Sequence, residues 1–233
     1  MSPEEIEARI LYKDQDVIVL DKPAGLAVHA GPNSPDHLEL YLDALKFGWS
    51  QAPRLAHRLD RDTSGCLLLG RHDKSIKRLG KMFMQGRIEK AYWTVVQGGP
   101  AADQGVVEAP ILKITGKGGW RIVIDPAGQP AITQWRVLGR GDGLAWIECV
   151  PKTGRTHQIR VHMKHLGCPV RGDGYYGPDP IPGQMLHLQS HMIGVPPLSS
   201  GKDWIRAAAP PPPHMMAALS ECGWRDDIQA GFI

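Results

Sequence analysis

The grouping of apolar residues constrains this chain most. They fall in short runs, rich in β-branched and leucine side chains, each closed by Gly, Pro or Asp within two residues. Runs of that kind suit strands. Val17–Leu20, Cys66–Leu69, Ile88–Val96, Val106–Glu108, Trp120–Ile124, Ile132–Leu138, Ala145–Val150 and Leu186–Ile193 read in this way, and Leu26–His29 extends the first strand beyond a Pro-Gly turn. On the Ile88–Val96 strand, Tyr92 and Trp93 point to opposite faces.

Helical spacing is confined to a few segments. Ser34 and Pro35 make an N-cap and first-turn pair for a helix from Pro35 to Phe47, with Leu38, Tyr41, Leu42 and Leu45 on one face. Asp73 caps a second helix ending near Gly86, with Ile76, Leu79 and Phe83 inward and Lys74, Lys77, Arg78 and Lys81 outward. A third runs from Thr156 to Leu166, closed by Gly167, and a fourth from His214 to Cys222. Strands and helices do not alternate as in a doubly wound fold, so the pattern gives an α+β protein with a mostly antiparallel sheet. Gly116–Gly119 is a hairpin turn and not a phosphate loop, since no strand-G-K-[S/T]-helix context surrounds it. The proline run Pro210–Pro213 is too short for a domain linker.

At 233 residues, with 42% apolar and 22% charged side chains, the chain buries a substantial core and is not disordered or fibrous. The formal net charge of +3 excludes a globally basic polyanion binder, but the charge is uneven. Pro151–Gly172 holds Lys152, Arg155, Arg160, Lys164 and Arg171 with no acid, and Arg71–Lys90 holds seven basic residues against Asp73 and Glu89. Such patches suit a phosphate backbone, although solvated helix faces account for many lysines. Cys66, Cys149, Cys168 and Cys222 are widely spaced, which indicates free thiols in a reducing compartment. The acidic amino terminus lacks an apolar signal core, and no apolar run reaches membrane-spanning length, so a cytoplasmic location is expected.

Chemistry concentrates in His57-Arg58-Leu59-Asp60-Arg61-Asp62-Thr63-Ser64-Gly65, which leads into the Cys66–Leu69 strand. A carboxylate between two arginines is, taken alone, more often a structural ion pair than a catalyst. Together with Lys90-Ala91-Tyr92 and Thr153-Gly154-Arg155-Thr156-His157-Gln158-Ile159-Arg160-Val161-His162, however, this loop resembles the RluA-type family of pseudouridine synthases. The three motifs match in order and spacing, within a likeness running from about Leu11 to about Trp204.

The resemblance implies a pseudouridine synthase fold, a long mixed sheet bent over a central cleft between the halves of one catalytic domain covering residues 1–233. The family's first motif corresponds to Lys22-Pro23-Ala24-Gly25-Leu26 and starts too early for a preceding S4-type RNA-binding module. The implied activity is isomerisation of uridine to pseudouridine in ribosomal or transfer RNA, without cofactor or metal, by a protein expected to be a monomer. Asp60 is then the nucleophile or base, with Asp62 in a turn or salt-bridge role. Arg160 is its basic partner, Tyr92 a stacking ring and proton-handling hydroxyl, and Ile159 a contact to uracil. Arg58 is placed to occupy or hold open the space left by the flipped base, and Arg155, Lys152 and Lys164 to contact phosphates. Residue types leave open whether the carboxylate attacks the anomeric carbon, adds to the ring or removes a ribose proton to give a glycal, the route favoured here.

His157, His162 and His165 lack the spacing and the carboxylate or thiolate companion of a metal site. Asp21, Arg171 and Gln189 depart from the family's pattern, outside the three motifs. Two alternatives use the same residues: a non-catalytic RNA-binding protein of this fold, disfavoured because Asp60, Tyr92 and Arg160 are all present, and a glycoside or nucleoside hydrolase, which needs a second carboxylate where only Asp62 is adjacent. Specificity is expected from Gly31–Pro35 and from the hairpins within Gly98–Pro130.

Overall fold

The computed structural model describes residues 1–31, 34–116, 119–178, 183–199 and 201–226. In chain order its elements are α1 (Pro3–Glu7), β1 (Ile10–Lys13), β2 (Val17–Lys22), a 3-10 helix (Leu38–Leu45), β3 (Arg54–Leu55), β4 (Ser64–Gly70), α2 (Asp73–Met84) and β5 (Glu89–Gln97). They continue with β6 (Gln104–Glu108), β7 (Ile111–Gly116), β8 (Gly119–Ile124), β9 (Ile132–Gly141), β10 (Leu144–Pro151), α3 (Gln158–His165), β11 (Leu188–Val195), β12 (Ile205–Ala208) and α4 (Pro213–Glu221). The fold is α+β, with mixed sheet and few helices. Two compact units divide it, Met1–Lys90 with Gln189–Pro210, and Ala91–Leu188 with Pro211–Ile233.

In the first unit the strands lie in the order β1-β2-β4-β11, with β12 added to β11 and β3 to β4. All neighbours are antiparallel except β4 and β11, which pair in parallel at Ser64–Gln189 and Gly65–Ser190. Every residue of β4 is buried, as a short run without alternation requires of a strand covered on both faces. Gly65 has φ +98°, and a Cβ there would meet the Ser190 carbonyl oxygen at 2.2 Å, so the parallel pairing depends on the absent side chain. Leu79 and Met82 of α2 pack on Val17, Val19, Cys66, Leu68 and Ile193.

Local chemistry corrects several boundaries. The N-cap of α2 is His72, whose ring accepts from the Ser75 N–H at 3.2 Å; Asp73 sits in the first turn and pairs with Arg54. Ser75, Leu79 and Met82 are buried on this helix, with Ile76 and Phe83 half-buried beside them. The segment read as Pro35–Phe47 is a 3-10 helix capped at His37, which buries Leu38, Leu42 and Leu45. Leu26–His29 forms no strand, only a bridge from Ala27 to His37.

In the second unit β5-β10-β9-β6 are antiparallel, and β7 and β8 form a separate hairpin. The helices α3 and α4 take opposite faces of this sheet. Trp93 and Trp146 meet edge to face at 4.7 Å and pack on Met215 and Leu219 of α4. Val96, Ile147, Cys149 and Trp135 face Ile159 and Met163 of α3, and Tyr92 rests against this same cluster. Tyr92 and Trp93 thus serve opposite faces, as strand alternation dictates. The turn joining β7 to β8 includes Lys117 and Gly118, and the loop expected to carry specificity includes Pro32 and Asn33; these four lie outside the described residues.

Candidate active site

Between β3 and β4 the chain passes through His57 to Thr63, with a bend at His57 and a turn at Arg61 and Asp62. Leu59 is buried and Arg58 exposed, while His57 and Asp60 are half-buried. His57 Nε2 accepts from the Leu68 N–H of β4 at 2.9 Å, and its ring lies 4.9 Å from that of Phe83. An acceptor nitrogen demands a neutral ring, and burial, helped by the charge of Lys90, pushes His57 down to about 3. This histidine anchors the loop to the strand. Beyond it, the Thr63 N–H donates to the Asp60 carbonyl at 3.2 Å and closes a turn. Asp62 takes the salt-bridge role expected of it, meeting Arg61 Nε at 3.0 Å. With both partners substantially exposed, that pair contributes little stability.

A second anchor comes from the turn after β2. Lys22 is fully buried, and its Nζ donates to the carbonyls of Pro23 at 2.8 Å, Leu26 at 2.8 Å and Arg61 at 3.0 Å. The Gly25 N–H also donates to the Arg61 carbonyl at 2.9 Å. Three acceptors match the three N–H bonds of an ammonium, so the site is built for the cation. Burial nonetheless pulls Lys22 down to about 7, against the opposing pull of Asp62, Asp60 and Asp21. The Lys-Pro-Ala-Gly turn and the Asp60 loop are therefore tied through the Lys22 ammonium and the Gly25 N–H, both on the Arg61 carbonyl.

In the second unit, Arg160 of α3 is 3% exposed and forms a fork with Asp173, Nε to Oδ2 at 2.7 Å and Nη2 to Oδ1 at 2.7 Å. Asp173 also accepts the N–H groups of Tyr175 at 3.0 Å and Tyr176 at 3.2 Å, which fixes the carboxylate that fixes the guanidinium. The Tyr175 and Tyr176 rings lie 5.3 and 5.1 Å from the guanidinium carbon. The start of α3 is held as firmly. His157 sits at φ +54°, with Nδ1 2.8 Å from the Tyr176 hydroxyl, and that hydroxyl accepts the Ile122 N–H of β8 at 3.3 Å. Gln158 Oε1 accepts from the Thr153 hydroxyl and the Arg155 N–H, and its Nε2 donates to the Ile132 carbonyl at 2.9 Å. His162 has both ring nitrogens engaged, with Thr133 Oγ1 at 2.9 Å and the Ala109 carbonyl at 3.1 Å, and burial lowers its pKa. His157 and His162 are therefore fastenings of the helix.

The structure thus brings Tyr92, Ile159 and Arg160 into one unit, with Tyr92 and Ile159 against a common cluster, and places Asp60 and Arg58 on one loop of the other. Lys152 and Arg155 are exposed in the β10–α3 connection, where Arg155 Nε donates to the Pro130 carbonyl at 3.3 Å. Lys164 is exposed in the last turn of α3. Sequence reasoning left out Lys22, His57, Gln158 and Asp173 as parts of the site. Asp173 carried one signal, as the first acid after the acid-free stretch from Pro151 to Gly172. Beside His157, the hairpin of β7 and β8 presents Trp120, 41% exposed, with Lys113 Nζ 4.6 Å from its ring and the His157 ring at 5.2 Å.

Comparison with known proteins places this fold in a class of RNA-modifying isomerases. The chain superposes on the human RNA pseudouridylate synthase domain containing 4 with a TM-score of 0.78, at 25% identity and 95% coverage of both chains. Human RNA pseudouridylate synthase domain containing 1 shares the fold, with a TM-score of 0.72 over 90% of this chain and 85% of that one at 24% identity. The RNA pseudouridylate synthase family model matches residues 16–165. An RNA pseudouridine synthase of Zymomonas mobilis is 44% identical over 187 residues, 78% of this chain and 85% of the relative. The ribosomal large subunit pseudouridine synthase C of Vibrio parahaemolyticus is 33% identical over 225 residues, 88% of this chain and 66% of the relative. The chain belongs to the RNA pseudouridylate synthase family, and its activity is the isomerisation of uridine to pseudouridine in RNA. Among the described residues, no helix is long and apolar enough to cross a membrane.

Proposed function

We propose that this protein isomerises specific uridines in ribosomal or transfer RNA with Asp60 as its catalytic carboxylate, working as a cytoplasmic monomer without cofactor. The chain serves as a single catalytic domain, with Asp60, Arg58, Tyr92, Ile159 and Arg160 as its site residues. The observation that carries this reading is the pinning of the Asp60 loop. Lys22 grips its backbone and His57 fastens it to β4, so Asp60 is presented on a backbone held on both sides.

In the glycal route, Asp60 takes the proton from ribose C2′ as the C1′–N1 bond breaks and the uracil leaves with the electron pair. The base then turns within the site, and its C5 bonds to C1′ while the proton returns to C2′. Loss of the C5 proton and protonation of N1 restore the ring, leaving an isomer of the starting nucleotide. The Tyr92 ring and Ile159 hold the detached uracil, Arg58 occupies the space left by the flipped base, and Arg160 supplies positive charge to the site. Lys152, Arg155 and Lys164 contact phosphates, and the hairpins between Gly98 and Pro130, with the Gly31–Pro35 loop, choose the target.

Release of tritium from RNA labelled at uridine C5 tests the reading directly, because the new bond expels that hydrogen. Wild type is expected to release it. Asp60→Asn is expected to fold and bind RNA without release, and Asp62→Asn to remain active. Turnover by Asp60→Asn at the wild-type rate would exclude Asp60 as the reacting group.

A further inference from the structure

The basic face of α2 plays no part in the chemistry above, yet it is not spread evenly into solvent. Arg78 and Lys81 of α2 border a groove of about 640 Å³ whose floor includes Met82, Pro197 and Leu198. Arg87 joins them at the rim. It lies beyond the helix, brought round by Gly86 at φ +65° and held by its own N–H donating to the Met82 carbonyl at 2.9 Å. Arg78 Nη1 donates to the Leu198 carbonyl, so one guanidinium is already positioned on the groove wall. Three cations from separate turns of chain thus converge with no carboxylate in the lining. A merely solvated helix face would not recruit an arginine from outside the helix.

The position of the groove identifies its occupant. The strand β4 leads away from the Asp60 loop for seven residues, about 23 Å, and α2 returns over twelve residues, about 18 Å. The last turn of α2 therefore comes back to the loop, where the Phe83 ring meets that of His57 at a tilt, three residues before Asp60. A cationic groove with an apolar floor, one side chain behind the reacting loop, fits a sugar-phosphate strand, with ribose over the floor and phosphates at the rim. We propose that this groove binds the RNA strand flanking the target uridine, Lys81 and Arg87 each neutralising one phosphate. The proposal rests on the Asp60 loop being the reacting end of the molecule.

Fluorescence anisotropy with a labelled RNA stem-loop, titrated between 50 and 200 mM salt, tests it with no dependence on turnover. Lys81→Ala/Arg87→Ala is expected to weaken binding roughly 10- to 40-fold at 100 mM salt and to flatten the log-log salt slope by about 1.4 to 1.8, the loss of two phosphate contacts. Its kcat at saturating RNA is expected to match wild type. The control, Lys74→Ala/Lys77→Ala, removes equal charge from the exposed outer face of the same helix and is expected to change affinity less than threefold. Unchanged affinity and slope in the Lys81/Arg87 variant would overturn the proposal, as would an equal loss in the control, which would reduce the groove to general charge. Full activity in Asp60→Asn would overturn the catalytic reading alone, because the anisotropy of the groove variants reports binding only.

Discussion

Replacing Asp173 with Asn tests whether Arg160 is held in place by a buried carboxylate. The pair is almost wholly enclosed, with side chains 3% and 0% exposed, so water cannot take over the lost partner. Asn keeps one acceptor. If its oxygen takes the Oδ1 position it retains Nη2 and the N–H groups of Tyr175 and Tyr176, while its NH₂ then faces the Arg160 Nε–H, donor against donor. One charge-assisted hydrogen bond disappears, at about 1.5–3 kcal/mol, and a buried guanidinium loses its counter-charge, within the roughly 3–5 kcal/mol seen when one partner of such a pair is removed. About 3 kcal/mol of destabilisation lowers Tm by roughly 6–12 °C for a domain of this size. Thermal melts read that loss, and tritium release well below both midpoints reads the positioning. The expected pattern is a lower kcat with RNA affinity retained. A midpoint within 2 °C of wild type together with wild-type kcat would refute the reasoning, since it would mean that neither the charge nor the fork sets the arginine's position.

Two other substitutions probe different parts of the same construction. Lys22→Met leaves the Pro23, Leu26 and Arg61 carbonyls without their donor, so activity is expected to fall with the order of the Asp60 loop. The folded value of about 7 lies below lysine's ordinary 10.5, so between those values the unfolded chain binds more proton and stability from this group rises with pH. Denaturant melts are expected to show the wild type, relative to Lys22→Met, level below pH 6 and gaining about 2 kcal/mol from pH 7 to pH 9; parallel curves throughout would show that Lys22 keeps its proton. Trp120→Ala is expected to cost about 1–3 kcal/mol of RNA affinity through a lost stacking surface, with Tm unchanged; anisotropy identical to wild type would remove the β7–β8 hairpin from the RNA-binding surface.

The parts of this protein legible from sequence are those set by local pattern. The run Cys66–Leu69 is too short and too uniformly apolar for anything but a covered strand, and β4 is buried throughout. Opposite faces for Tyr92 and Trp93 follow from strand geometry alone, and the clusters against which they pack confirm it. What escaped depends on distant chain. No local rule says that Gly65 must clear the Ser190 carbonyl, that Lys22 will grip Arg61, or that Arg160 will find Asp173. Ser34-Pro35 has the look of a helix cap, whereas the Leu38 N–H is taken by the Ala27 carbonyl and the segment winds as a 3-10 helix from there. The strand β7 is hidden in the sequence because Lys113 and Thr115 interrupt its apolar pattern in a hairpin largely open to solvent.

The motifs that reveal the family record scaffolding as much as chemistry. In His57-Arg58-Leu59-Asp60, the first and third residues fasten the loop to β4 and the core, while the second is exposed and the fourth half-buried. In Thr153 to His162, the hydroxyl of Thr153, the amide of Gln158 and the imidazoles of His157 and His162 all bond within the unit and set the course of α3. Only against that background does Arg160 come to a defined place. A motif match therefore establishes fold and reaction class before it establishes any residue's role, because selection for a fixed backbone and selection for a reactive group leave the same mark in one sequence. The two separate by what they damage: loss of an anchor such as His57 or Lys22 appears first as lost stability, whereas loss of Asp60 is expected to leave stability and RNA binding standing while turnover disappears.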